Sequence, residues 1–242
     1  MIMNNGLTYK KGFIDGIPIA LGYLSVSFSF GILCTKGGMR ILGAILISLT
    51  NLTSAGQLAG VQIIFALGAL SEMALAQFII NLRYALMSIS LSQKADSSFN
   101  TLRRMVVSFG VTDEIFAVAS SQKGAISPKY MYGLMTLPII GWTGGTALGA
   151  VAGDILPADI VTALGIALYA MFIAIVLPPA TEHRGVLVCA AISAAISCIL
   201  AFVTVFSFIS SGFAIIICGI IAAVAAAILF PVEDEKEECA NE

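Results

Sequence analysis

Long apolar segments recur along the whole chain, and each is close to the length that crosses a bilayer. A membrane-spanning α-helix needs about 20 mainly apolar residues. Eight segments approach or exceed that length: residues 13–34, 41–70, 72–91, 105–121, 130–152, 160–177, 185–208 and 212–230. Charged residues make up 11% of the chain, against roughly 25% in a soluble domain. The sequence therefore predicts an all-α integral membrane protein with seven to eight transmembrane helices.

The same pattern predicts three regions. Residues 1–12 form a cytoplasmic N-terminal segment, residues 13–231 a polytopic membrane domain, and residues 232–242 an acidic tail that we expect to be disordered. The first apolar run is too long for a signal peptide and contains Pro18, which favours an uncleaved, kinked first span. We therefore expect a multi-pass protein of the cell membrane.

The residues needed for several other functions are missing from the sequence. The five cysteines form no C-x-x-C pair, and the only histidine, His183, lies in a loop between two apolar segments. There is no Walker, G-x-S-x-G or H-E-x-x-H motif, and no basic stripe for nucleic acid. We expect neither an enzyme nor a metal or cofactor site.

The block 41–70 is too long for one upright helix. Its 30 residues would extend roughly 45 Å as a helix, against a hydrocarbon core of ~30 Å. Its centre is polar and small, so the block is either one long tilted helix or two half-helices with an unwound segment between them. Interrupted helices often form the binding sites of transporters. The candidate substrate or ion ligands here are Asn51, Ser54, Gly56 and Gln57.

Two adjacent carboxylates, Asp113 and Glu114, follow Thr112 in the middle of the apolar segment 105–121. A charge at that depth costs a few kcal/mol, so partners are expected. The preceding span supplies Arg83, together with a polar stripe at 3.6-residue spacing: Gln77, Asn81, Tyr84 and Ser88.

One guanidinium facing two carboxylates leaves one carboxylate uncompensated, which is the property of a proton-coupling site. A structural salt bridge that only fixes helix register is the alternative. We accordingly take Asn81, Arg83, Thr112, Asp113 and Glu114 as candidate coupling residues.

The segment 130–152 and the residue after it carry a glycine every fourth position: Gly141, Gly145, Gly149 and Gly153. Such a groove lets another helix approach closely. It serves either packing inside this chain or docking of a second membrane protein.

Lysine and arginine positions leave the membrane orientation open. If block 41–70 crosses the membrane once, six basic residues lie inside and five outside; if it is re-entrant, the split becomes five against six. Eight crossings with both termini cytoplasmic is the topology we expect.

Five short motifs occur along the chain in this order: Gly16-x-Pro18, Ser54-Ala55-Gly56-Gln57, Asn81-Leu82-Arg83, Thr112-Asp113-Glu114 and Met171-Phe172-Ile173-Ala174. Together they resemble the AzlC-type family, the large subunits of branched-chain amino acid permeases linked to azaleucine resistance. The resemblance covers about residues 11–179, and Tyr84 stands where the family often has histidine.

The resemblance implies export of branched-chain and related neutral amino acids, and pairing with a small AzlD-type membrane subunit. The midplane carboxylates favour proton-coupled export, because no nucleotide site is present in the sequence. A channel or transporter for another small solute, and a non-catalytic structural subunit of a membrane complex, are the alternatives.

Overall fold

The computed structural model describes residues 7–153, 155–157, 159, 173, 176, 177, 180, 181, 183–203, 206 and 208–230. The prediction of an all-α membrane protein is confirmed. The helices are α1 (Tyr9–Asp15), α2 (Ile17–Lys36), α3 (Ile41–Thr50), α4 (Ala55–Phe65), α5 (Leu70–Gln93), α6 (Thr101–Phe109), α7 (Asp113–Ser121), α8 (Pro128–Ala152), α9 (Arg184–Phe202) and α10 (Ser211–Leu229). Five of them are long and apolar enough to cross a membrane: α2, α5, α8, α9 and α10.

Two predicted regions lie wholly or largely outside the described residues. These are the sixth span, 160–177, with the Pro178-Pro179 stop and most of the Met171-Phe172-Ile173-Ala174 motif, and the tail 232–242. The described residues form two compact units. The first takes its residues from 1–61 and 80–169, the second from 62–79 and 170–242.

In the first unit, α1 and α2 run parallel to α8. The first span is interrupted at Gly16, and Pro18 lies in the first turn of α2, where its missing N–H costs little. Tyr9 is next to Gly133, Ala20 is next to Gly141 and Phe28 is next to Gly149, so the two paths advance together. We call the end of this unit where α8 begins the proximal end, and the end where α8 finishes the distal end.

The four-glycine groove of α8 is filled by α2. A Cβ on Gly141 would lie 2.6 Å from the carbonyl oxygen of Ala20, and one on Gly145 would lie 2.5 Å from that of Leu24. A Cβ on Gly149 would overlap the backbone of Phe28, and one on Gly153 would lie 2.8 Å from Thr35 Oγ1. The groove therefore serves packing inside the chain. Docking of a second membrane protein on Gly141, Gly145, Gly149 and Gly153, the other role considered from the sequence, is wrong, because α2 already occupies the space.

Block 41–70 is interrupted, as expected, and α3 and α4 form a re-entrant hairpin. On α3, Ala44 belongs to the same apolar cluster as Ala150, and Ser48 bonds Thr146 at 2.7 Å, so α3 descends from the distal end of α8. On α4, Gln57 forms a hydrogen bond with Trp142. Val61, one turn further along α4, belongs to the apolar cluster of Ala44 and Ala150. The chain therefore enters and leaves at the distal end, with residues 51–54 at the tip.

The tip of this first hairpin is made of residues that interrupt a helix. Asn51, Thr53 and Ser54 have short polar side chains that compete for backbone hydrogen bonds, and Thr53 Oγ1 donates to Asn51 Oδ1 at 2.6 Å. Ser54 has φ of 39°, a left-handed conformation that is uncommon for a residue other than glycine. Backbone strain of this kind often marks a functional segment.

The segment 105–121 is not the continuous span expected from the sequence. Helix α6 ends at Gly110, and Thr112 caps α7 by accepting a hydrogen bond from the backbone N–H of Ile115. The carboxylates lie in the first turn of α7 and not in the middle of a helix. A glycine stop followed by a threonine N-cap overrides the apolar pattern.

Helices α6 and α7 form a second re-entrant hairpin, which opens at the proximal end. The side chain of Met135 lies against Gly110 at the tip, and Val107 shares an apolar cluster with Met131 near the start of α8. At the other end of α7, Lys94 Nζ donates to the carbonyl oxygens of Ser120 and Gln122, the latter at 3.1 Å.

The residues around Lys94 lie at the proximal end. Helix α5 descends there, and Ile126 N donates to the Lys94 carbonyl oxygen at 2.7 Å, two residues before α8 begins. Both ends of the second hairpin are therefore proximal, opposite to the ends of the first.

This topology separates the basic residues of the first unit sharply. Lys36 and Arg40 lie at the distal end, while seven basic residues lie at the proximal end: Lys10, Lys11, Lys94, Arg103, Arg104, Lys123 and Lys129. The positive-inside rule therefore predicts that the proximal end faces the cytoplasm.

Cysteine labelling tests this topology. In a cysteine-free background, Ser97→Cys and Lys123→Cys should both react with an impermeant maleimide in inverted vesicles and neither in intact cells. The eight-crossing topology puts these two loops on opposite sides of the membrane. Reaction of one cysteine in intact cells and the other in inverted vesicles would therefore exclude the second hairpin.

In the second unit, α9 packs along α10. Both agree with the apolar scaffold spans expected near the end of the chain, although α9 ends at Phe202 and not at Phe208. The start of α10 is capped by Glu72, whose carboxylate is 4% exposed and accepts from Gly212 N at 2.9 Å and from the Ser210 hydroxyl. An anion stabilises the positive end of a helix dipole, which explains this buried acid.

A candidate transport site between two re-entrant hairpins

Helix α5 connects the tips of the two hairpins in the first unit. The Tyr84 hydroxyl donates to the carbonyl oxygen of Thr53 at 3.3 Å, which connects α5 to the tip of the first hairpin. Arg83 Nη2 lies 2.9 Å from Asp113 Oδ2, which connects α5 to the tip of the second. Two neighbouring residues of α5, Arg83 and Tyr84, therefore contact the two hairpin tips.

Arg83 reaches Asp113 although it lies about 200° from Asn81 on an ideal helix. Its guanidinium carbon is 4.9 Å from the centre of the Tyr84 ring, and Nη2 also donates to the Tyr84 hydroxyl at 3.0 Å. Cation–π contact and hydrogen bond together direct the side chain towards α7. The Arg83 and Asp113 side chains are 42% and 30% exposed, so the ion pair is only partly enclosed by this chain.

Tyr23 of α2 holds the other carboxylate. Its hydroxyl group donates a hydrogen bond to the carboxylate of Glu114, and its oxygen lies 2.6 Å from Thr112 Oγ1. Tyr23 is 9% exposed and Thr112 is 3% exposed, so the contact is buried. The two neighbouring acids therefore have different partners, a guanidinium for Asp113 and a phenol for Glu114.

A series of buried side-chain contacts connects Tyr23 to the first hairpin. The Tyr23 ring meets the Trp142 ring edge-on, with centroids 5.1 Å apart, and Trp142 Nε1 donates to Gln57 Oε1 at 2.7 Å. Gln57 Nε2 donates to Ser48 Oγ at 3.0 Å, and Ser48 bonds Thr146. A series of buried contacts therefore connects Glu114 with Gln57 through Tyr23 and Trp142.

The electrostatics of the site come from one cation, two anions and one helix start. Asp113 and Glu114 lie in the first turn of α7, where the helix dipole stabilises negative charge. Two carboxylates beside one guanidinium give the cluster a net charge that a bound proton or an ammonium group would cancel. Within the described part of the chain, no group of three His, Cys, Asp or Glu residues could hold a metal ion.

The structure brings together most of the residues named from the sequence. Arg83, Thr112, Asp113, Glu114 and Gln57 join one network. Three others lie nearby along the chain: Asn51 at the first tip, Gly56 buried at the start of α4, and Asn81 half-buried on α5. Ser54 supplies the strained backbone of the first tip.

Four network residues escaped the sequence analysis: Tyr23, Ser48, Trp142 and Thr146. Single tyrosine, serine and threonine residues are common in membrane helices and carry little signal by themselves. Trp142 is the sole tryptophan of the chain, and it lies inside a glycine-rich segment away from either end. Membrane tryptophans favour the interfaces, so its depth was the available clue.

Two oppositely directed re-entrant hairpins around a charged, hydrogen-bonded centre are typical of multi-pass membrane proteins that transport solutes. Comparison with known families then gives the particular assignment. The model of the AzlC protein family matches residues 18–156, which is more than half of the chain. The chain belongs to the AzlC family, a family of membrane transport proteins, and the resemblance found in the sequence is confirmed.

Individual relatives agree with this assignment. The inner membrane protein YgaZ of Escherichia coli is 30% identical over 224 residues, covering 89% of each chain. An uncharacterized membrane protein of Archaeoglobus fulgidus is 33% identical over 178 residues, 73% of this chain and 78% of its own. One from Helicobacter pylori is 26% identical over 150 residues, 60% of this chain and 64% of its own. No solved structure matches the chain.

Proposed function

We propose that the chain is the large subunit of a two-component, proton-coupled exporter of branched-chain and other neutral aliphatic amino acids in the cell membrane. The observation that carries the proposal is that neighbouring residues of α5 contact both helix interruptions, Tyr84 at Thr53 and Arg83 at Asp113. The AzlC membership supports the class of cargo. It also supports a small AzlD-type membrane subunit as partner.

The chemistry of a neutral amino acid complements this centre. Its ammonium group pairs with Asp113 or Glu114, and its carboxylate pairs with Arg83 or with backbone N–H groups at a half-helix start. Substrate and proton then compete for the same two carboxylates, which is a simple physical basis for exchange of one against the other. Asn51, Ser54, Gly56, Gln57 and Asn81 complete the proposed site.

Flux in liposomes tests the proposal. Labelled leucine or valine should show counterflow in proteoliposomes that contain both subunits, and an imposed pH gradient should drive net movement. Glu114→Gln should insert normally, but its pH-driven flux should fall at least tenfold, because the variant keeps the shape of the side chain and removes the carboxylate.

A second measurement reports binding without flux. Trp142 is the only tryptophan and touches both Tyr23 and Gln57, so leucine should change its fluorescence. Leucine flux that does not depend on the pH gradient would favour a channel or a facilitator. A wild-type protein that neither binds nor moves any neutral amino acid would overturn the proposal.

A further inference from the structure

A cavity of about 330 Å³ lies between α5, α6 and the start of α8, at the proximal end of the first unit. Its volume is at the lower limit of the roughly 300–1,000 Å³ typical of small-molecule sites. Its wall is mainly apolar, and five of the apolar residues that line it are buried: Leu91, Val107, Val111, Ile126 and Met131. The carboxylates of the second hairpin begin two residues after Val111.

We propose that this cavity receives the aliphatic side chain of the amino acid as it enters from the proximal end, and that Val107, Val111 and Met131 set the preference for branched chains. The inference rests on the proposed function and names the part of the site that selects the cargo. Neither the network at the hairpin tips nor the family assignment specifies such a chamber.

The distribution of charge supports an amino acid as the occupant. No carboxylate is among the described residues that line the cavity, and Arg104 is the one ionised side chain there. An ammonium group therefore has no partner inside the cavity, but it finds Asp113 and Glu114 just beyond Val111. An amino acid that places its side chain in the cavity and its ammonium group at the tip satisfies both halves of the molecule.

The position of the cavity along α5 supports the same direction of approach. Ser88 lines the cavity and lies one helical turn beyond Tyr84, which bonds the tip of the first hairpin. The polar stripe predicted on this helix thus continues from the hairpin tips into the cavity. One face of α5 therefore reaches from the cavity at Ser88 to the hairpin tip at Tyr84.

The apolar wall explains how the cavity could discriminate among neutral amino acids. One methylene group more or less in an apolar pocket changes selection by about 10–200-fold. Leucine and valine can cover the apolar part of this wall, whereas serine has only one methylene group to place against it. The selection therefore operates on the side chain, while the hairpin tips recognise the groups common to all amino acids.

Neighbouring residues on α6 provide a matched pair of variants. Val107 is 5% exposed and lines the cavity, whereas Val106 is 47% exposed on the other side of the helix. Val107→Phe should fill the cavity. It should weaken the binding of leucine at least tenfold and weaken the binding of alanine less. Val106→Phe adds the same bulk outside and should leave both unchanged.

Cysteine protection measures occupancy directly. In a cysteine-free background, Ser88→Cys should react with a soluble maleimide, and leucine should slow that reaction at least threefold while serine should not. Ser90→Cys, exposed on the same helix outside the cavity, should react at one rate with or without leucine. Val107→Phe should remove the protection at Ser88→Cys.

The outcomes separate this inference from the proposed function. If the wild type moves leucine but leucine never protects Ser88→Cys, the cavity is not the side-chain site. Protection by phosphatidylglycerol in place of leucine would make the cavity a lipid site and overturn the inference. Leucine protection without any leucine flux would instead count against the proposed transport function.

Discussion

Gly145→Ala should lower the free energy of unfolding by about 3 kcal/mol, the upper part of the range for overpacked interiors. A Cβ at that position would lie 2.5 Å from the carbonyl oxygen of Leu24 and would overlap the Ser27 hydroxyl, so α2 and α8 must separate. For a chain of this length the midpoint of thermal unfolding should fall by about 6–12 °C. Gly145→Leu should leave no folded protein in detergent.

Gly144 is the matched control for this change. A Cβ at Gly144 meets nothing within 4 Å, although it is the next residue of the same helix. Gly144→Ala should therefore be neutral or slightly stabilising, since alanine is the better helix former by up to about 1 kcal/mol. Equal unfolding temperatures for the two alanine variants would contradict the close packing of α2 on α8.

Removing either charge of the Arg83–Asp113 pair should reduce leucine flux at least tenfold, equivalent to about 1.4 kcal/mol in the rate-limiting barrier. Arg83→Gln and Asp113→Asn each leave the other charge without its 2.9 Å partner at the tip of the second hairpin. Both variants should still insert, because the pair is partly exposed and contributes little to stability. The measurement is counterflow at equal amounts of reconstituted protein.

The exchange of charges and a distant neutralisation complete this test. Arg83→Asp combined with Asp113→Arg should recover part of the flux if the pair holds α5 to the second hairpin. Lys129→Gln, which removes an exposed charge at the start of α8, should transport normally. Wild-type flux in both single variants would reduce the pair to a structural salt bridge.

Residue types and spacing were sufficient to predict the membrane class, the interruption near Asn51 and the approach of Arg83 to the acidic pair. Each of these follows from a local cost: an apolar run that is too long, or a charge without a partner. The second interruption was missed because the apolar pattern continues through Gly110 and Val111. The segment is divided by only two single residues, Gly110 at the end of α6 and Thr112 at the start of α7, which barely change the apolar pattern.

The direction of each hairpin could not be predicted from the sequence, because it depends on contacts between distant segments. The direction of the first hairpin follows from hydrogen bonds of Ser48 and Gln57 to Thr146 and Trp142 of α8, about 85–100 residues away along the chain. Lys94 identifies the second by bonding the end of α7. Basic-residue counts favoured neither topology until both hairpins were placed.

The glycine-lined contact between α2 and α8 has a consequence for biogenesis. During synthesis α2 leaves the ribosome more than 100 residues before the helix that it packs against. Until α8 is inserted, Ser48 and Gln57 have no Thr146 or Trp142 to bond, and burying such groups in lipid alone is costly. The first hairpin must therefore wait at the translocon or at the membrane surface, so the first unit assembles as a late step centred on α8.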